Sequence, residues 1–265
     1  MDSLGIFGYA CALLIGVTLG LIGGGGSILT VPILVYLFYL NPVTATAYSL
    51  FVVGTTAFWG TIRNIKRGLV DFKAGIAFSI PSFIAVYIAR KYILPAIPEK
   101  LFFIDDFLLT KNVAIMLFFA LLMLIAAFYM ILDRTINIKR KAKIKYNYLS
   151  LLIQGFIIGI LTGIVGAGGG FLIVPALVLW TKLPMKKAVG TSLLIITIKS
   201  LIGFIGDVEN LVIDWNFLLI FTTISIIGIF FGIYLSNFIE GKKLKKVFGW
   251  FVLIMSISIL ITEVF

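Results

Sequence analysis

Thirteen residues, Gly20-Leu-Ile-Gly-Gly-Gly-Gly-Ser-Ile-Leu-Thr-Val-Pro32, recur 143 positions later as Gly163-Ile-Val-Gly-Ala-Gly-Gly-Gly-Phe-Leu-Ile-Val-Pro175. Seven of the thirteen positions are identical: Gly20/Gly163, Gly23/Gly166, Gly25/Gly168, Gly26/Gly169, Leu29/Leu172, Val31/Val174 and Pro32/Pro175. The same ungapped offset aligns Ala45 with Ala188, Ser49 with Ser192, Leu50 with Leu193, Gly60 with Gly203 and Asp71 with Asp214. A register held this far is a duplication, so the two halves must share one plan.

What that plan is made of follows from polarity. The chain is 61% hydrophobic and only 12% charged, whereas soluble domains average about 45–50% apolar and roughly 25% charged. Its mean hydropathy is +1.17, and its apolar residues fall in runs near the ~20 that cross a hydrocarbon core. These features predict an all-α polytopic membrane protein. The net charge of +11 then reads as Lys- and Arg-rich cytoplasmic loops against lipid, not as a nucleic-acid surface. Cys11 is alone and there is no histidine, so no disulfide framework, metal site or cofactor is expected. Asp2 stands where a signal peptide would be basic, and the first segment has an internal counterpart, so it reads as a retained span.

Long apolar segments run roughly 4–22, 44–62, 72–94, 112–132, 149–166, 187–206, 215–236 and 244–264, with short ones at about 28–40 and 171–181 after the glycine tracts. If both short segments cross and the N-terminus is outside, 17 basic residues fall inside and 4 outside (Arg90, Lys91, Lys100 and Lys111). If both re-enter, the count is 10 against 11, so positive-inside bias selects crossing. Five crossings per half is an odd number, which makes the halves inverted. The loop after the third segment is basic in one half (Arg63, Lys66, Arg67) and acidic in the other (Asp207, Glu209), as inversion requires. The expected organisation is a first repeat over 1–132, a basic cytoplasmic linker over 133–147 and a second, inverted repeat over 148–265. That gives about ten segments in the cytoplasmic membrane, with both termini outside. The loop at 95–111 reads as a plain extracytoplasmic connection. Inverted repeats are a common plan of secondary transporters, with the substrate near the midplane.

A helix of about 13 residues spans only ~20 Å of a ~30 Å core. Gly23–Gly26 and Gly166–Gly169 are therefore expected to enter as non-helical backbone, which survives there only inside protein or beside water. Each short helix would start near the midplane with unpaired N–H groups and about +0.5 charge, a ready anion receptor. Pro32 and Pro175 suit a first helical position or an early kink. Inversion aims both N-termini at one centre. Candidate anion contacts are Gly24, Gly25, Gly26 and Ser27 in the first tract, with Gly168, Gly169 and Gly170 in the second. The competing reading is that these glycines only allow close helix packing.

Among polar residues in the long segments, Lys199 reads as a cation facing the cavity, against the alternative of a lysine snorkelling to the surface. Ser49, Ser192 and Thr191 could donate to an oxyanion, although such hydroxyls often bond back to their own helix. Thr55, Thr56 and Thr197 are weaker candidates of the same kind. Asp71 and Asp214 begin segments and read as helix caps.

The Gly-x-x-Gly-x-Gly-Gly-Gly run leading to Val-Pro, then Ala188-Val-Gly-Thr-Ser192, resembles the sulfite exporter (TauE/SafE) family of membrane transporters. The first copy departs at Gly24, Ser27 and Thr46-Ala-Tyr-Ser49. The resemblance implies export or uptake of small sulfur-containing anions such as sulfite, thiosulfate or a sulfonate. Alternating access about the two tracts is the expected mechanism. An anion channel is the alternative within that class. An intramembrane enzyme is a third reading, disfavoured by the absent histidines and the lack of paired carboxylates.

Overall fold

A computed structural model describes residues 3–24, 26–104, 107–132, 148–166, 168–181, 183–209, 211–238 and 241–264. Gly25, Asp105, Asp106, Ala167, Lys182 and the basic linker 133–147 lie outside the described residues. The chain runs α1 (Ser3–Ile22), α2 (Ser27–Tyr36), α3 (Pro42–Lys66) and α4 (Phe72–Ile88). A π-helical turn (Ala89–Ile93) and a short α5 (Leu94–Ala96) extend α4. After strands β1 (Lys100–Ile104) and β2 (Phe107–Thr110) come α6 (Lys111–Ile131), α7 (Tyr148–Val165), α8 (Gly170–Trp180), α9 (Met185–Val208), α10 (Trp215–Leu235) and α11 (Gly241–Val264). Among the described residues, five stretches are long and apolar enough to cross a membrane: Phe72–Ala96, Lys111–Phe128, Tyr148–Val165, Met185–Val208 and Trp215–Leu235. Where a plain loop was expected at 95–111, β1 and β2 form an antiparallel hairpin with Ile104 opposite Phe107.

Helix starts follow local chemistry. Asp71 accepts from the Ala74 N–H at 3.0 Å and Asp214 from the Phe217 N–H at 3.1 Å, the capping role read from the sequence. Asn41 and Thr110 accept from the Val43 and Val113 N–H groups to cap α3 and α6, and Pro42 sits in the first turn of α3, where no N–H is needed. Pro32 and Pro175 are not at the first helical position but inside their helices. Each is the sixth residue of its short helix, in the second turn.

The pairing of helices is set by small residues. Gly16 and Gly20 of α1 lie against Ser225, Ile229 and Gly232 of α10, so closely that a Cβ on Gly20 would stand 2.5 Å from the Ile229 carbonyl oxygen. Gly155, Gly159 and Gly163 of α7 lie in the same way against Phe78, Ser82 and Val86 of α4. Both are small-xxx-small contacts, in which backbones approach because no side chain intervenes. Gly20 and Gly163 thus follow the close-packing reading.

Residue order across these contacts gives helix direction. α1 and α10 run the same way, as do α4 and α7. α4 also runs with α9, since Asp71 meets Thr191 and Arg90 meets Asp207. α3 runs with α10, with Tyr48 at Asp214 and Arg67 at Ile233. At the centre α3 and α9 cross in opposite directions, pairing Leu50 with Gly203, Gly54 with Leu201 and Gly60 with Leu193. We call the side where α1, α3 and α10 begin the near face, and the side where they end the far face.

Candidate functional site

Each short helix turns back along its predecessor. Gly26 packs on Ile15–Leu19 of α1, and Phe38, just after α2, reaches Gly8 near the start of α1. α1 therefore reaches the far-face end of α9, where Gly23 lies on Val189. The tract then carries the chain inward before α2 starts. The second tract does the same from the other side, with Gly166 lying on Thr46 at the near-face end of α3. Val189 and Thr46 are themselves equivalent under the 143-residue offset.

The two tracts meet. A Cβ on Gly24 would stand 2.3 Å from the Gly170 Cα, and one on Gly170 would stand 2.2 Å from the Gly24 Cα. No side chain fits either position without movement. Gly168 (φ +63°) and Gly169 (φ +67°) are both left-handed, a pair of conformations that glycine alone adopts cheaply. An added Cβ on Gly168 would meet Val53 at 2.6 Å and Ser27 at 3.4 Å. Neither Gly26, preceding α2, nor Gly169, preceding α8, caps its helix with a side chain. Gly25 lies outside the described residues.

Lys199 joins this meeting point. It is fully buried, and its Nζ donates to Thr162 Oγ1 at 2.6 Å. A Cβ on Gly169 would stand 2.6 Å from that nitrogen, so the ammonium lies against the start of α8 and does not snorkel. Among the described residues, the ion pairs are Arg90–Asp207 and Lys91–Glu209, and neither includes Lys199.

The predicted hydroxyls divide. Ser27 Oγ donates to the Gly24 carbonyl at 2.6 Å, and Ser192 Oγ donates to the carbonyls of Gly23 (2.7 Å) and Val189 (2.8 Å). Both hold the first tract in shape. Thr191 Oγ1 is turned to α4, where it accepts the Asp71 N–H at 2.9 Å. Ser49, the counterpart of Ser192, is buried and has no partner among the described residues. Thr56 is likewise unpartnered, while Thr197 bonds back to Leu193.

Two residues that the sequence placed at a loop are buried charges. Arg90 is 1% exposed and Asp207, inside α9, is 3% exposed. Arg90 Nε donates to Asp207 Oδ2 at 2.6 Å. Only the depth of both side chains, set by the π-helical turn and by α9 continuing to Val208, separates them from surface charges.

Helices of spanning length, close glycine contacts and glycine-broken helices meeting at a buried lysine describe a multi-pass membrane protein. The sequence profile of the sulfite exporter TauE/SafE family matches residues 9–259, and the chain belongs to that family. It is 29% identical over 254 residues to a "probable membrane transporter protein" of Xylella fastidiosa strain 9a5c, covering 93% of this chain and 91% of that one. It is 30% identical over 254 residues to the "probable membrane transporter protein YunE" of Bacillus subtilis strain 168, covering 88% of each. Against the "probable membrane transporter protein MJ0441" of Methanocaldococcus jannaschii, identity is 37% over 121 residues, covering 42% of this chain and 45% of that one. No solved structure matches.

Proposed function

We propose that this chain carries a small, sulfur-containing anion such as sulfite, thiosulfate or a sulfonate across the cytoplasmic membrane by alternating access. The anion sits where the starts of α2 and α8 meet Lys199. The observation that carries this reading is the Lys199 Nζ: buried, bonded to a neutral hydroxyl, and unpaired with any carboxylate among the described residues. A buried cation without a counter-ion is costly, and here it stands beside a helix N-terminus that adds positive potential. An anion relieves both. Backbone N–H groups of the tracts and the Ser49 hydroxyl complete the shell, whereas Ser27 and Ser192 hold the tract and Thr191 holds α4.

The halves act as inverted repeats, each supplying one tract. Supporting this are the opposed directions of the equivalent pairs α1/α7, α3/α9 and α4/α10, and the reciprocal seating of Gly23 on Val189 and Gly166 on Thr46. The far face, carrying Arg63, Lys66, Arg67, Lys186 and Lys187, is cytoplasmic under the positive-inside bias. Both termini then lie outside.

The test is flux into proteoliposomes against sulfite, thiosulfate, sulfoacetate, sulfate and chloride. Saturable uptake of at least one sulfur anion, with counterflow of labelled substrate, is expected of the wild type. Lys199→Met should lose it. Unsaturable flux without counterflow means a channel, and wild-type affinity in Lys199→Met removes the site.

A further inference from the structure

Arg90 and Asp207 are not used by the anion site, yet they stand directly over it. Asp207 lies eight residues beyond Lys199 on α9, about 12 Å toward the near face at 1.5 Å per residue. Arg90 Nη1 donates to Thr46 Oγ1 at 2.9 Å and to the Gly163 carbonyl at 3.3 Å. Gly163 follows Thr162, the partner of Lys199, and Thr46 is the residue on which Gly166 rests. One guanidinium therefore ties together α3, the π-helical turn, α7 and α9, at the point where the second tract turns inward.

The opposite face carries no such ion pair among the described residues. Under the 143-residue offset the counterparts of Arg90, Asp207, Thr46 and Gly163 are Ile233, Asn64, Val189 and Gly20. There the Asn64 side chain donates back to the Gly60 carbonyl at 3.0 Å, while Arg67 of α3 donates to the Ile233 carbonyl at 3.5 Å and to Asn237 Oδ1. The same junction is thus held by a buried ion pair on the near face and, on the far face, by a guanidinium on neutral acceptors, with no ion pair there among the described residues. A buried ion pair adds little net stability over apolar packing. It does supply directional bonds that are made or broken as a set, which suits a two-state element.

We infer that Arg90 and Asp207 form the latch that closes the anion path on the near face, so that this structure is the near-closed state. The inference rests on the carrier reading for what passes through. Opening separates the π-helical turn from α9, breaks the Nη1 bonds to Thr46 and Gly163, and exposes Thr46 to water.

The test uses a thiol reporter, Thr46→Cys in a Cys11→Ser background, reacted in proteoliposomes with a membrane-impermeant maleimide and no substrate present. Arg90→Ile with Asp207→Asn removes the ion pair and installs the residues that stand at the far-face counterpart positions. It should raise the labelling rate about ten-fold, the order by which a lost charge-assisted bond biases a two-state equilibrium. An unchanged rate overturns the latch. If that double variant does not fold, Arg90→Lys keeps the charge but not the fork of bonds. It should raise the rate several-fold, and an unchanged rate there also overturns the proposal. Labelling is read without any anion, so faster labelling in a protein that moves none of the panel sinks the anion reading and leaves the latch standing.

Discussion

Lys199 concentrates the energetics of the site in one side chain. Hydrogen bonds to a charged group are worth about 1.5–3 kcal/mol, and 1.4 kcal/mol is a factor of ten in affinity. Lys199→Met, which keeps the volume, should weaken anion binding about ten- to hundred-fold in a calorimetric titration, while the protein stays monodisperse. The paired serines should behave differently despite their equivalence. Ser49→Ala should lower anion affinity with little change in melting temperature. Ser192→Ala frees the carbonyls of Gly23 and Val189 and should lower the melting temperature. Gly168→Leu meets both a left-handed φ of +63° and Val53 at 2.6 Å. It should abolish flux, and retention of flux would show that the tract has room to spare. Ser49 and Ser192 match in sequence; that Ser192 reaches the Gly23 carbonyl, 169 residues away in the chain, was not legible there.

At the scale of elements, the helix ends were readable because caps are local. Asp71→Ala and Asp214→Ala should each cost about 1 kcal/mol, seen as a lower melting temperature in detergent. The glycine ridges on α1, α7 and α10 were visible only as glycines, because a small residue names no partner until another helix is laid against it. Gly228 sits so near the Leu13 carbonyl that an added Cβ would stand 2.2 Å from it. Gly228→Leu should therefore separate α1 from α10 and lose folded protein on size-exclusion chromatography. Of the two places open to the prolines of the short helices, the first helical position and an early kink, the first is ruled out, since each proline lies in the second turn. The reason is that each helix starts at its tract's last glycines, further from the proline than one turn. The hairpin after α5 escaped notice for a similar reason. Its apolar runs, 101–104 and 107–109, are too short to stand out and lie between charged residues that read as a connection.

Across the whole molecule, the opposed directions of equivalent helices make sidedness measurable. In a Cys11→Ser background, Lys66→Cys and Lys186→Cys should be labelled from one side of oriented vesicles. Tyr92→Cys and Glu209→Cys should be labelled from the other. Labelling of Lys66→Cys and Tyr92→Cys from the same side would remove the inverted arrangement. The duplication, the spanning segments, the tracts and the family resemblance are all carried by composition and order along the chain. Membrane insertion and helix starts act over a few residues, so the sequence by itself determined them. Only the tertiary structure decided that Gly24 lies on Gly170, that Lys199 reaches Gly169 and Thr162, and that Arg90 and Asp207 are a buried pair. Those are distances between residues far apart in the chain. They are fixed by how closely glycine-faced helices pack, and no local pattern encodes them.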